Sequence, residues 1–412
     1  MGISPTKDQK LSFSEKTTLR ILDKMNLGYL EVTLSSGSKV SYGDINSNIR
    51  ADIKINNSDF FKKVMLYGDI GFGEAYVDGD FETSNITELI SWVILNIENT
   101  PLMSGSKTKA IGLNLLKLLN RFSHMGNSNT KSGSAKNIAF HYDLSNDFYS
   151  LWLDKSMTYS SALFTNDKYS LYEAQQAKYE SLCKSLNLQP GDEVLEIGSG
   201  WGGMAIYMAK NYNVKVTGVT ISKEQYNYSV KRINKEGLED KIEILLQDYR
   251  NISGKYDKIV SIEMIEAVGD NFLITYFSKI NEVLKRDGLL ALQAIISPDS
   301  RYHQIKKDVD WIQKHIFPGG LIPSVGIINK SINKSSDLTL VGLKQMGFDY
   351  AKTLNAWRVS FNNKANELGK LGFDDIFMRK WNYYLSYCEA AFKMRNINVV
   401  QMLYTRPNNV NS

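Results

Sequence analysis

At 412 residues the chain is long enough for two or three domains with a sizeable core. Hydrophobic residues make up 43% and charged residues 23%, a globular balance, and a net charge of +5 is too weak to argue for nucleic acid while suiting an anionic membrane surface. Cys183 and Cys388 match no metal or disulfide spacing, the four histidines form no ligand pattern, and no apolar run marks a secretory leader or reaches spanning length. Reduced thiols, a cytoplasmic location and no bound metal are the expectation.

Residues 1–95 read as a small mixed α+β domain. LEVTL (30–34) and ADIKI (51–55) alternate as strands do, VMLYGDIGFGEAYVDGDF (64–81) is punctuated by glycine, and ITELISWVILNI (86–97) is helical. In 96–137 the composition turns basic: Lys107, Lys109, Lys117, Arg121, Lys131 and Lys136 are opposed only by Glu98. Within it, 107–122 has helical spacing, with Ile111, Leu115, Leu118, Leu119 and Phe122 on one face and Lys107, Asn114, Lys117 and Arg121 on the other. Such a helix suits a phospholipid surface, and equally an interdomain position with its apolar face buried in protein. GNSNTKSGSAKN (126–137) has the composition of a linker.

From 138 to 412 the pattern is α/β. DEVLEIG, VKVTGVT, KIEILLQD, DKIVSIE and LLALQAII are apolar runs separated by helical segments, as in a parallel sheet buried on both faces. The end, KWNYYLSYCEAAFKMRNINVVQMLYTRP, reads as an aromatic helix and a closing strand.

VLEIGSGWGG (194–203) is a strand running into a glycine turn. Gly198, Gly200 and Gly202 let backbone approach a ligand, and a helix then opens with free N–H groups. Alone, the motif serves a dinucleotide as readily. Two features favour S-adenosylmethionine. Glu196, inside the strand, repels a pyrophosphate and suits a cationic ligand, and Asp248 beside Tyr249 in QDYR is placed to accept from an adenine amino group. The second strand ends in GVTIS instead of an acidic ribose ligand, so Thr220 and Gln225 are the candidates there. A methyltransferase, a dinucleotide enzyme and a pocket without chemistry all stay open on these motifs.

HYDLSNDFYSLWLDKSMTYSSALF (141–164), VLEIGSGWGGMAIYMAK, GVTISKEQYNYSVKR, IVSIEMIEAVG, IFPGGLIPS and YYLSYCEAAF, in this order, resemble the cyclopropane fatty acid synthase family, which includes the mycolic acid cyclopropane synthases. The resemblance covers 137–407, and 64–81 resembles the extra N-terminal domain of phospholipid-acting members. It implies a Rossmann-like class I S-adenosylmethionine-dependent methyltransferase domain that moves a methyl to the double bond of an unsaturated phospholipid acyl chain. It also implies a carbocation deprotonated by bound bicarbonate, attachment to the inner face of the membrane, and a homodimer. An alkene is a weak nucleophile and a carbocation must be kept from water, so aromatic walls fit this chemistry. Tyr142, Phe148, Tyr149, Trp152, Tyr159, Phe317, Tyr350 and Tyr383 are candidates for such a wall; a place in the ordinary core is the other reading of each.

Carried over by resemblance, the bicarbonate site comprises Glu266, Tyr350, Gln293, Ser161 and the Ile295 backbone, with Cys388 near the pocket. The cofactor contacts are Tyr159, Ser160, Gly198, Gly200, Thr220, Gln225, Asp248 and Tyr249. Gln293 stands where the family has histidine, Ser161 where it has cysteine, and Ala267 where it often has histidine. Glutamine donates to an anion but does not titrate. Ser161 matters little if it contributes its backbone N–H. Glu266 has a structural alternative as a helix cap, and Gln293 as a core hydrogen bond. The stretch 297–324 reads as a helical cover ending in a turn at 318–320. Two other outcomes remain: loss of a different proton, giving a methyl-branched or methylene-bearing chain, and a non-catalytic lipid-binding relative.

Overall fold

The computed structural model describes residues 11–96 and 144–410. The basic stretch with its helix at 107–122, the linker and Tyr142 lie outside the described residues. Contacts divide the chain into two units: Met1–Gly126 with Lys306–Ile316 and Gly369–Asn396, and Asn127–Ile305 with Phe317–Leu368 and Ile397–Ser412.

The first unit holds a four-stranded sheet in the order β2-β1-β3-β4, built from β1 (Tyr29–Thr33), β2 (Lys39–Gly43), β3 (Arg50–Ile55) and β4 (Phe81–Glu82). Alternation sets its faces: Leu30 and Val32, then Ala51, Ile53 and Ile55, are buried while their neighbours are more exposed. The glycine-punctuated passage is helical, as Asp59–Tyr67 and Asp69–Val77 break at Gly68 with φ of 60°. Gly71 stands where these helices meet, and a Cβ there would lie 2.1 Å from the Lys63 carbonyl oxygen. Helix Asp375–Lys393 packs on helices Ile86–Asn96 and Asp69–Val77, and the Trp311 and Tyr383 rings meet at 4.6 Å. Sequence order assigns 306–316 and 369–396 to the second domain, but their aromatic side chains find their packing partners in the first unit, a long-range choice that no local pattern announces.

The second unit is a seven-stranded sheet in the order β10-β11-β9-β8-β5-β6-β7. Its strands are β5 (Glu193–Ile197), β6 (Lys215–Thr220), β7 (Ile242–Leu246), β8 (Tyr256–Ile262), β9 (Leu284–Ile296), β10 (Thr339–Gln345) and β11 (Asn398–Thr405). β5 to β9 are mutually parallel, while β11 runs antiparallel to β9 and to β10. The five apolar runs are these parallel strands; the central ones are buried on both faces, while the edge strand β7 leaves Glu243 and Leu246 exposed. Leu195, Ile197 and Ile259 join one core with Phe277 and Ile280; Val194, Val216 and Val260 join the other with Met204 and Leu182. β5 pairs with both β6 and β8, so strand order reverses there, and the crevice outside the carboxyl ends at such a switch point is where this architecture binds ligands.

Replacing Gly71 by alanine drives a Cβ into backbone that cannot yield without parting two helices. A loss of about 1–3 kcal/mol is expected by the usual cost of overpacking, read as a lowered midpoint in thermal unfolding; an unchanged midpoint contradicts the close approach.

Candidate active site

β5 ends in the glycine turn at the switch point. Gly198, Gly200 and Gly202 have φ of 87°, 52° and 79°, the left-handed region that favours glycine. Beside Gly200 no atom lies within 4 Å of where a Cβ would stand, so the turn leaves open room, and helix Gly203–Tyr212 starts just beyond it. Glu196 is buried under the turn and its Oε2 has no hydrogen-bond partner among the described residues. Burial raises its pKa, and the charge of the buried Lys178 opposes that rise. At the end of β6 the Thr220 hydroxyl donates to Gln225 Oε1 at 2.9 Å. Beyond β7 both oxygens of Asp248 bind the Arg250 guanidinium, at 2.8 and 3.0 Å, and Tyr249 packs edge-on against Tyr276. A carboxylate has about four acceptor positions, so this pairing leaves Asp248 capacity for a further donor. Open backbone at Gly200, with the part-buried Asp248 able to accept from a nucleoside, fits a nucleoside ligand such as S-adenosylmethionine.

Aromatic rings run from this turn across the unit. Trp201 meets Tyr149 at 5.0 Å, Tyr149 meets Tyr159 at 5.5 Å, Tyr159 meets Trp357 at 5.1 Å, and Trp357 meets Tyr350 at 6.0 Å. Phe148 and Trp152 back the series. Helix Asn146–Trp152 supplies Phe148, Tyr149 and Trp152, and helix Gly347–Asn363 supplies Tyr350 and Trp357. Ser145 caps the first of these, accepting from the Phe148 N–H.

At the far end lies a cluster of buried carboxyls. Glu263, one residue past β8, has φ of 48°, and its Oε1 accepts from the Ser161 N–H at 2.9 Å and the Gln293 side-chain amide at 2.8 Å. The Tyr350 hydroxyl is a further partner of this carboxylate. Gln401 on β11 donates to Gln293 Oε1 at 3.0 Å and accepts from Ser181 at 2.8 Å, which fixes the amide so that its NH2 faces Glu263. Burial raises the Glu263 pKa, opposed by these hydrogen bonds and by Lys178. Glu266, in the turn Ile265–Ala267, accepts from the Ile295 N–H, while its Oε2 has no partner among the described residues. Burial, then the charge of Glu263, pushes Glu266 up to about 8. Burial thus raises both carboxyls, and Glu263 differs from Glu266 in the several hydrogen bonds and the Lys178 charge that favour its ionised form.

Among the residues singled out from the sequence, Ser161, Gln293 and Tyr350 converge on Glu263, and Ile295 on Glu266. Ser161 contributes its backbone N–H, and Glu266 caps no helix. Tyr159 lies within the ring series, and the Ser160 hydroxyl accepts from Lys178 at 2.9 Å. The Phe317–Gly320 turn leads to Leu321, whose N–H donates to the Glu266 carbonyl. Cys388 and Tyr383 belong to the first unit; burial pushes the Cys388 thiol up, and Tyr383 packs among Phe72, Tyr76 and Trp311. The expected cover comprises helices Asp299–Ile305 and Trp311–His315, the second within the first unit. Glu263, Lys178 and Gln401 were not singled out from the sequence. Glu263 had one legible signal, its place at the carboxyl end of a parallel strand.

The strand order, the glycine turn at its reversal and the acidic residues within β5 and after β7 define the class I S-adenosylmethionine-dependent methyltransferase fold. The chain belongs to the mycolic acid cyclopropane synthetase family, whose model matches residues 129–402, and a domain of unknown function matches residues 19–102. It is 38% identical over 371 residues to the cyclopropane-fatty-acyl-phospholipid synthase of Escherichia coli K12, covering 88% of this chain and 90% of that one. It is 35% identical over 355 residues to a tuberculostearic acid methyltransferase of Mycobacterium tuberculosis, covering 84% and 81%. A mycolic acid cyclopropane synthase solved with S-adenosylhomocysteine and CTAB superposes with a TM-score of 0.61 at 29% identity, over 66% of this chain and 98% of that one. No described helix is long and apolar enough to cross a membrane.

Gly200→Val fills the open side of the turn and strains its backbone. Titration calorimetry should show S-adenosylmethionine affinity reduced by about 100-fold or more, a loss of about 2.8 kcal/mol at 1.4 kcal/mol per tenfold, with far-UV circular dichroism retained. Wild-type affinity in this variant, or none in the wild type, contradicts the cradle.

Proposed function

We propose that the protein transfers the methyl of S-adenosylmethionine to the double bond of an unsaturated acyl chain in a phospholipid and closes a cyclopropane ring. The observation that carries this reading is the unbroken series of rings from the glycine turn at Trp201 to Tyr350 at the carboxyl cluster. S-adenosylmethionine supplies an electrophilic methyl on a sulfonium. The chain has to keep water from a reactive carbocation, offer it ring faces, and take away a proton. Phe148, Tyr149, Trp152 and Trp357, all buried, exclude water, and Tyr350 sits where rings and carboxyls meet. Gly198 and Gly200 would hold the nucleoside end of the donor, with Thr220, Gln225, Asp248 and Tyr249 around it. The names of the E. coli and M. tuberculosis relatives support an acyl-chain substrate.

A phospholipid substrate requires the protein to visit a bilayer from one side, as a peripheral protein on its inner face. The basic helix at 107–122 is the segment proposed to do so, and a homodimer would let one subunit hold the surface while the other turns over. Charge reversal by Lys117→Glu with Arg121→Glu should weaken binding to anionic vesicles in a sedimentation assay by about 30-fold or more, since each basic residue near such a surface contributes about 1 kcal/mol; unchanged binding refutes the membrane role.

The reaction itself is checked by incubating the protein with S-adenosylmethionine and an unsaturated phospholipid and analysing the lipid by mass spectrometry. The acyl chain should gain one CH2 and resist mild hydrogenation, as a ring does. A product that takes up hydrogen would be a methylene or other alkene, and would replace the cyclopropane ending by the branched one.

A further inference from the structure

The family resemblance implies a bicarbonate ion as proton acceptor, but the Ser161, Gln293, Tyr350 and Ile295 donors it would use are each engaged by a carboxyl of this chain. The Ser161 N–H and the Gln293 amide both donate to Glu263 Oε1, Tyr350 is bonded to the same carboxylate, and the Ile295 N–H is held by Glu266. A bicarbonate would have to displace Glu263 from these donors and then lie beside its buried carboxylate, where a like charge is penalised. The ion does not fit this site.

We propose that the Glu263 carboxylate is itself the general base of the reaction, occupying with its own oxygens the place the resemblance gives to an exchangeable ion. This inference rests on the methyl-transfer reading above. Glu263 has the positive φ of 48° that a non-glycine residue adopts only when its surroundings require it, and here the strained turn brings the side chain onto the Ser161 and Gln293 donors. Its N–H continues the β8–β9 ladder to the Gln293 carbonyl at 2.7 Å, so both ends of the residue are fixed against the same strand. The Ser181–Gln401–Gln293 relay orients the amide, and the buried Lys178 supplies positive charge. A general base must be positioned, and these contacts do that while favouring its charged form against the burial that disfavours it.

The step balances without a further reactant. The π pair of the alkene forms the new bond to the incoming methyl carbon as the S–CH3 bond breaks, its electrons staying on sulfur. A C–H bond of the added methyl then breaks, its pair closes the third side of the ring, and the proton passes to a Glu263 oxygen as a neutral carboxyl.

The test compares the full-length protein with Glu263→Gln and Glu263→Gly, assayed for methylated phospholipid in carbon-dioxide-free buffer and in buffer with added bicarbonate. Wild-type turnover should be the same in both buffers. Glu263→Gln should lose about 100-fold or more, the usual contribution of a positioned base. Glycine is at ease at this φ and leaves the donors open, so Glu263→Gly should fold, bind S-adenosylmethionine as the wild type does, stay inactive without bicarbonate and regain turnover as it is added. Wild-type dependence on bicarbonate, undiminished turnover of Glu263→Gln, or a folded Glu263→Gly that bicarbonate does not restore each overturns the base while leaving methyl transfer standing. A wild type that methylates no lipid in either buffer overturns the reading of function, and the base with it.

Discussion

A buried carboxyl that gathers several donors is the constraint around which the second unit is arranged. Burial disfavours the charged form of Glu263. The Ser161 N–H, the Gln293 amide, the Tyr350 hydroxyl and the field of Lys178 favour it. Those donors come from the loop after helix Asn146–Trp152, from β9, and from helices Gly347–Asn363 and Leu171–Ser185. The carboxyl therefore ties together four parts of the unit, and Gln401 on β11 adds a fifth through Gln293.

The same arrangement serves two chemical demands that pull against each other. A buried, ring-lined setting suits reaction between a sulfonium and an alkene but disfavours any ionised base. Hydrogen bonds concentrated on one oxygen of Glu263 work against that second effect. The Gln293 and Ser161 departures from the family pattern fit this solution: an amide that does not titrate is a steady donor to a fixed carboxylate, and a backbone N–H needs no thiol.

Much of this was legible in the sequence. The five apolar runs are the five parallel strands, since the central strands, buried on both faces, lose the alternation that marks a one-sided sheet. The glycine turn was legible because Gly198 and Gly200 occupy backbone space other residues rarely enter. Ser161, Gln293 and Tyr350 were reachable through resemblance, and they meet in space. Glu263 was not reachable that way, although it stands three residues before Glu266, because its role depends on a backbone twist that composition does not signal. Lys178 and Gln401 depend on partners far along the chain. The aromatic segments at 306–316 and 369–396 joined the first unit for the same reason: their packing partners are remote in sequence.

Infrared difference spectroscopy between the wild-type protein and Glu263→Gln tests the ionised buried carboxylate most directly. At neutral pH the substitution should remove a carboxylate stretching band and leave the protonated-carboxyl band of Glu266 in place. Loss of a protonated-carboxyl band instead would mean that Glu263 is neutral in the resting protein, and the account of how this site accepts a proton would not stand.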